Sequence, residues 1–508
     1  MSSAAPPRFD PQRRRAVTAA LLLVSALASF ESTVVSTAMP TIIGDVGGLP
    51  LYSWVFAIYL LTSTVTMPIY GRLADIYGRR RILATAIIVF LAGAVACAFA
   101  RTMPQLIFAR AFQGLGAAGL VPISLTVAGD IYSIEERAKV QGLFSSVWGF
   151  ASLVGPLAGA WMTMTFGWRS IFTINVPLGL IALVIVQTKM IESRVGQPDP
   201  LDVAGATTLA VGVTALLFAM LHNPAHDTSG ALRALLVLFA LISLTVFVTL
   251  QARREHPLVP PSLFRRWESA APYLSGALMG TTIFGVDTFV PLFVQGARGG
   301  TAGAAGAVIT PLVFLWAASA AIAGRLIVRF GFRRTALWGA VLILLGLFGL
   351  LAAAVVNAPV PWISAACALV GAGLGPMSIA QILGIQYTVG ERERGVATSL
   401  VPFFRTIGGS LGVGALGGIL SAGLARRLGS AAESAGRMLA GHASQADAAA
   451  VAPALLRQAI ERSLIPVFAV LLVLAFGNIF ATSRFPQRPT AAARDSEETP
   501  VLSGTLDG

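Results

Sequence analysis

Charge is scarce in this chain. Only 12% of its 508 residues are Asp, Glu, Lys or Arg, against roughly 25% in a soluble globular protein. That little charge cannot cover a water-facing surface of this size, which excludes a soluble multidomain enzyme. With 56% hydrophobic residues, it also excludes a disordered chain, which needs low hydrophobicity and high net charge. Lysine is nearly absent, with Lys139 and Lys189 the whole complement. Cysteine is limited to Cys97 and Cys367, both inside apolar runs, so no disulfide framework or thiolate metal site is expected. The four histidines are His222, His226, His256 and His442. His222 and His226 can share a helix face, but no third ligand is evident, and no metal or other cofactor is expected. No Gly-x-x-x-x-Gly-Lys-Ser/Thr loop occurs, which argues against ATP as a power source.

What is abundant is apolar length. Fourteen stretches reach the roughly 20 apolar residues a transmembrane helix needs: 17–43, 51–70, 82–100, 104–129, 140–162, 170–188, 201–221, 231–251, 270–296, 305–324, 335–356, 361–386, 397–420 and 465–483. None alternates as a membrane β-strand does. The first follows Arg13, Arg14 and Arg15 and superficially resembles a secretory signal, but it is too long and thirteen more follow. The net charge of +13 then reads as topology control rather than as a nucleic-acid footprint. With the N-terminus inside, 25 Arg and Lys fall in inside segments and 9 outside, five of these in the long 421–464 loop. The positive-inside rule therefore places both termini in the cytoplasm. Ala and Arg enrichment suggests a GC-rich bacterial genome. The 421–464 segment reads as an amphipathic surface helix or a mobile loop, and the tail from Arg484 as polar and disordered.

A repeat is visible. GRLADIYGRRRIL (71–83) and GRLIVRFGFRRTA (324–336) agree at six of thirteen positions at an offset of 253. Glu31 and Asp287, 256 apart, each sit midway along the first helix of a half. The expected organisation is an all-α polytopic membrane protein of two six-helix bundles, 17–188 and 270–483, flanked by short cytoplasmic tails (1–16 and 484–508). An inserted two-helix hairpin, 201–251, makes fourteen transmembrane helices. Parallel repeats of this kind hold a substrate site between them near the bilayer midplane.

Four charged residues stand well inside apolar stretches: Glu31, Arg110, Asp287 and Arg405. Arg110 lies about 10 Å from the outer end of its helix and Glu31 about 18 Å from that of its own. The depths let the two couple directly or through water. Alternatively Arg110 is structural, bonded to Gln113 and backbone. Carboxyls withdrawn from water take up protons readily, and a bound cation expels them, which is antiport in its simplest form. Glu31 and Asp287 are thus candidate proton and cation sites, with hydrogen-bonded helix packing as the alternative for Asp287. Arg405 either balances Asp287 or meets an anionic group on cargo. Asp75, beside Arg79, Arg80 and Arg81, can cap a helix N-terminus and pair with Arg.

The segment Gly71-x-Leu73-Ala74-Asp75-x-x-Gly78-Arg79-Arg80 resembles the cytoplasmic loop signature of the major facilitator superfamily. LIFARAFQGLGAAG (106–119) resembles the family's helix 4 signature. GFASLVGPLAGAW (149–161), with Gly155, Pro156 and Gly159, resembles its helix 5 antiporter signature. FESTVVSTAMPTI (30–42), WRSIFTINVPLG (168–179) and FFRTIGGSLGVG (403–414) resemble the fourteen-helix drug:proton antiporter branch. The resemblance covers nearly all of 15–483. It implies the major facilitator fold, a small-molecule cargo exchanged for protons by alternating access across the cell membrane, and function as a monomer. It further implies proton coupling at Arg110, with Glu31 and Asp287, and gating at Gly71, Asp75, Gly78, Arg79, Arg80, Gly155, Pro156 and Gly159. Asp75 would lock the halves together by reaching the start of helix 13 near Gly395. Two departures stand out: Glu31 replaces the branch's usual Asp, and Val328 occupies the second-half position matching Asp75. An exporter of an endogenous metabolite or lipid, and a non-transporting membrane sensor or scaffold, are the competing functions.

Overall fold

The computed structural model describes residues 10–46, 52–132, 134–191, 202–221, 230–255, 257–300, 302–390, 393–428 and 453–487. The four histidines lie outside these ranges, as do 429–452 and the tail from 488.

Fifteen α-helices run through the described residues: α1 (Pro11–Val46), α2 (Tyr52–Tyr77), α3 (Arg79–Phe99), α4 (Met103–Ile131), α5 (Ile134–Phe166), α6 (Ser170–Thr173), α7 (Asn175–Lys189), α8 (Val203–Leu221), α9 (Gly230–Arg253), α10 (Ser262–Arg265), α11 (Trp267–Leu292), α12 (Ala302–Val355), α13 (Val360–Thr388), α14 (Arg394–Leu428) and α15 (Pro453–Ser483). Ten helices in these ranges are long and apolar enough to cross a membrane. α9 shows why a bilayer is required. Only Ala240, Phe247 and Gln251 are buried along it, while Leu235, Leu238, Phe239, Leu241 and Val248 are exposed. In water such a helix would be an uncovered apolar rod.

The expected stretches 305–324 and 335–356 fall on one helical run, α12, broken at Gly331 (φ 83°, ψ 170°). Gly78, between α2 and α3, has φ 96° and ψ 146°. The two glycines are 253 apart, and both adopt a positive φ that a side chain would disfavour. The repeat therefore extends to the backbone of its joints. It also extends to an anchoring bond. Arg80 Nη1 donates to Met190 O, just past α7 (3.4 Å). Arg333, again 253 later, donates to Phe485 O, just past α15 (2.9 Å).

Helix ends depart from the apolar stretches. α15 begins at Pro453 rather than 465, so part of the expected surface loop is helix. There Glu461 meets Arg298 at 3.0 Å. Hydropathy registers the bilayer, and a helix can continue past it with solvated side chains. α1 likewise starts at Pro11, where Arg14 of its first turns meets Glu136 at 3.0 Å.

We call the end carrying Pro11 and Ser483 the near end. There one buried cluster runs through both halves. It joins Leu83, Leu120 and Ile123 to Ile385, Val396 and Leu400. At the far end the buried clusters stay separate, one around Met39, Leu106 and Phe172, the other around Phe293, Leu350 and Phe468. α8 and α9 pack on each other, and α8 also touches α2 and α14. Asp202 fixes the hairpin. It accepts from Gly205 N (2.9 Å) and Gln251 Nε2 (2.7 Å), and Gln251 Oε1 accepts from Val259 N (3.0 Å).

Candidate functional site: a buried ion pair and a near-end clasp

α1 and α4 are apolar enough that any charge on their packed faces must find a partner. Glu31 and Arg110 find each other. Arg110 Nη1 donates to Glu31 Oε1 at 2.5 Å and to Gln113 Oε1 at 2.8 Å, while its Nε donates to Val55 O at 3.3 Å. The second oxygen of Glu31 accepts from Asn175 Nδ2 at 2.8 Å. Tyr59 presents its ring face 4.1 Å from the guanidinium carbon. Glu31, Arg110, Gln113 and Asn175 are all buried. Four helices (α1, α2, α4 and α7) thus converge on one pair. Among the described residues Gln113 Nε2 and Asn175 Oδ1 have no hydrogen-bond partner. A donor and an acceptor without partners there thus stand beside a carboxylate and a guanidinium.

The second half is arranged differently. α11 buries Val286 and Phe289 but leaves Asp287 exposed, and among the described residues no donor reaches its carboxylate. Arg405 on α14 does not pair with Asp287. It donates to Gln381 Oε1 at 3.2 Å. Gln381 in turn donates to Ser275 Oγ (3.0 Å), which bonds Asn478 Oδ1 (2.7 Å). The reason is level. Gly280 of α11 lies against the Arg405 carbonyl, so Asp287, seven residues on, stands about 10 Å further along the helix.

At the near end Asp75 reaches across to α14. Its Oδ1 accepts from Gly395 N (3.0 Å) and its Oδ2 from Val396 N (2.9 Å). These are unsatisfied amides at the start of a helix, where negative charge is stabilised. Arg79 lies 2.9 Å from Asp75 and 2.9 Å from Asp130, and Asp130 also holds Arg394 at 2.5 Å. Gln386 Nε2 donates to Leu125 O (3.2 Å), adding a further bond between the halves. Gly71 permits the approach: a Cβ there would stand 2.8 Å from Gly395 O and 2.9 Å from Val396 Cα. Gly78 shapes the joint behind it, and Arg80 donates to Gln187 Oε1 and Met190 O of the first half.

Gly155 and Gly159 are buried on α5, and Pro156 lies in the same helix. The α5 glycines seen against α12 are Gly142 and Gly149, whose Cβ atoms would stand 3.0 Å from Ala321 Cα and 2.7 Å from Ala317 Cβ. Their spacing of seven was the readable signal. Asn175, Asp130, Arg394 and Gln381 were also not singled out, although Asn175 lies inside WRSIFTINVPLG. Among the described residues no group of three or more His, Cys, Asp or Glu is placed to hold a metal.

This geometry has relatives among known proteins. The model of a family described as Major Facilitator Superfamily matches residues 21–413. The chain is 34% identical over 412 residues to "Multidrug transporter protein MdtP" of Bacillus subtilis (strain 168), covering 81% of this chain and 76% of that protein. It is 32% identical over 395 residues to "Multidrug resistance protein 3" of the same organism, covering 77% of each. Its fold is similar to that of the proton:xylose symporter XylE, with a TM-score of 0.61 at 14% identity over 94% of this chain and 97% of that one.

Proposed function

The chain belongs to the Major Facilitator Superfamily, and from that premise we propose that it is a proton-coupled exporter of lipophilic, chiefly cationic compounds. It is a multi-pass membrane transporter akin to multidrug pumps, and not an enzyme. The finer assignment is the fourteen-helix drug:proton antiporter branch, with two six-helix bundles, α8 and α9 as an inserted hairpin, and the near end in the cytoplasm. Fourteen helical segments fit if α6 and α7 form one crossing, α10 is excluded, and α12 is counted as two arms about Gly331. The charge bias of the sequence supports that orientation.

The observation that carries the proposal is the Glu31–Arg110 pair. A carboxylate so held can exist only while its cation stays. Protonation of Glu31 releases Arg110, which keeps Gln113 Oε1 and Val55 O as acceptors. A cationic cargo competes with both the proton and Arg110 for the same oxygens. Exchange follows from that competition, and Asp287 offers a second carboxylate for cargo. Arg110 therefore acts in coupling, with Glu31 and Asp287 serving both proton and cargo. The near-end clasp of Gly71, Asp75, Gly78, Arg79 and Arg80 holds the outward-facing state, and Gly155, Pro156 and Gly159 let α5 bend as the halves rock. One charge moving across about 100 mV supplies about 2.3 kcal/mol, to which a pH gradient adds.

A second reading, export of an endogenous metabolite bearing an acid, is favoured by Arg405, which has no carboxylate partner among the described residues. The test is transport in proteoliposomes under an imposed pH gradient, with matched cationic, neutral and anionic cargo. Uphill export of cations that collapses with the gradient supports the first reading. Export confined to one anionic compound supports the second. No gradient-dependent flux of any cargo would sink both and leave a sensor or scaffold.

A further inference from the structure

The near end of the second half holds a cavity of about 340 Å³ lined by Arg266, Glu268, Ser269, Arg333, Tyr387 and Gln487, among others. Neither the clasp nor the ion pair uses it. Its meaning comes from the repeat. Arg266 and Arg333 stand 253 residues after Arg13 and Arg80. In the first half both arginines are consumed by the end of α7: Arg13 Nε donates to Lys189 O at 2.6 Å and Arg80 Nη1 to Met190 O at 3.4 Å. In the second half Arg333 Nε still holds Phe485 O at 2.9 Å. The Arg266 guanidinium, however, has no partner among the described residues. Glu268, two residues on, forms no ion pair among them either. A cation and an anion that line one cavity without meeting leave a gap for a ligand carrying both charges.

The cavity also sits where a lipid headgroup would lie. Arg266 immediately precedes α11, which begins at Trp267 and whose apolar stretch follows from residue 270. Trp267 is 56% exposed and packs edge-on to Phe480, with ring centroids 6.3 Å apart. Arg484 lies 5.3 Å over the same Phe480 ring. Tryptophan and arginine gathered at the end of an apolar helix mark the membrane interface, and exposed Leu274 continues the apolar face.

We propose that this cavity binds the headgroup of an aminophospholipid, its phosphate held between Arg266 and Arg333 and its ammonium by Glu268, with the acyl chains along Trp267 and Phe480. The site is independent of which cargo is moved. A lipid bound there ties the start of α11 to Arg333 of α12 and to the ends of α13 and α15.

Native mass spectrometry of the full purified chain tests this, with phosphatidylethanolamine, phosphatidylglycerol and inorganic phosphate as probes. Wild type should retain phosphatidylethanolamine in preference to phosphatidylglycerol. Arg266→Gln should weaken retention of both lipids about tenfold, the usual effect of losing one hydrogen bond to a charged group. Glu268→Gln should remove the preference, and Arg13→Gln, at the matching first-half position, should change nothing. Unaltered retention by Arg266→Gln, or a wild-type preference for phosphatidylglycerol, would overturn the proposal. Equal protection by inorganic phosphate would mean a free-anion site and would overturn it as well.

Discussion

The two halves share a scaffold and differ in chemistry. Gly78 and Gly331 break their helices alike, and Arg80 and Arg333 anchor equivalent helix ends. On that common frame Glu31 is enclosed by Arg110, Gln113 and Asn175, whereas among the described residues Asp287 meets no donor and Arg405 bonds only Gln381. Asp75 clasps α14, whereas Val328 at the matching position is an exposed apolar residue. A duplicated fold can thus keep its geometry while its halves diverge in chemistry, with one carboxylate paired to an arginine and the other left without one.

The largest effect that would break this comparison is on stability. Arg110→Ala strands the buried Glu31 carboxylate, and breaking such a pair costs about 3–5 kcal/mol. Arg405→Ala strands no carboxylate and should cost clearly less. Thermal unfolding of the solubilised variants checks this, and equal losses would mean that the two arginines do the same work.

Next comes the clasp. Asp75→Asn removes the charge from two hydrogen bonds and turns an NH₂ toward an amide donor. With about 1.5–3 kcal/mol for each charge-assisted bond, the near end should open at least tenfold more often. Spin-label distances between positions 77 and 390 would report it. Placing an acid at the equivalent second-half position, Val328→Asp, should not restore closure, because the Gly395 and Val396 amides face Asp75 on α2.

A smaller effect is expected on selectivity. Asp287→Asn should weaken monocationic cargo by about 1–3 kcal/mol per lost pair, dications most, and neutral cargo little. Efflux of matched compounds measures it, and equal losses across all three would make Asp287 a structural residue.

The smallest concerns the far-end surface pair. Trp168 and Arg169 hold the exposed Asp45 carboxylate below its usual range. Its folded pKa is the lower one, so its contribution is present above the unfolded pKa and fades as pH falls through the folded value. The melting difference between wild type and Asp45→Asn should be slight near neutrality and vanish once the pH has fallen below the folded value. The less exposed Arg298–Glu461 pair should give the larger of the two far-end effects.

These contrasts also mark how far the sequence could be read. Hydropathy located each long helix among the described residues, because apolar length is a local property. The loop repeat gave the joints, because a glycine at a sharp turn is fixed by backbone sterics. Glu31 and Arg110 were legible as partners because depth can be counted along each helix. Asn175, Asp130 and Gln381 were not, since a neutral or interfacial polar residue carries no cost large enough to reveal which distant helix it meets. The alternative that Arg405 balances Asp287 failed on helix register, which only the packing of Gly280 on α14 determines. The start of α15 was missed because its first turns lie in solvated sequence.

The measurement closest to the central claim separates exchange from coupling. In proteoliposomes, Glu31→Gln should retain downhill counterflow of a monocation but lose the uphill export that a pH gradient drives in wild type. Asp287→Asn should keep pH-driven export of a neutral cargo while losing cation preference. Uphill, gradient-dependent export by Glu31→Gln at the wild-type rate would contradict the assignment of coupling to the Glu31–Arg110 pair.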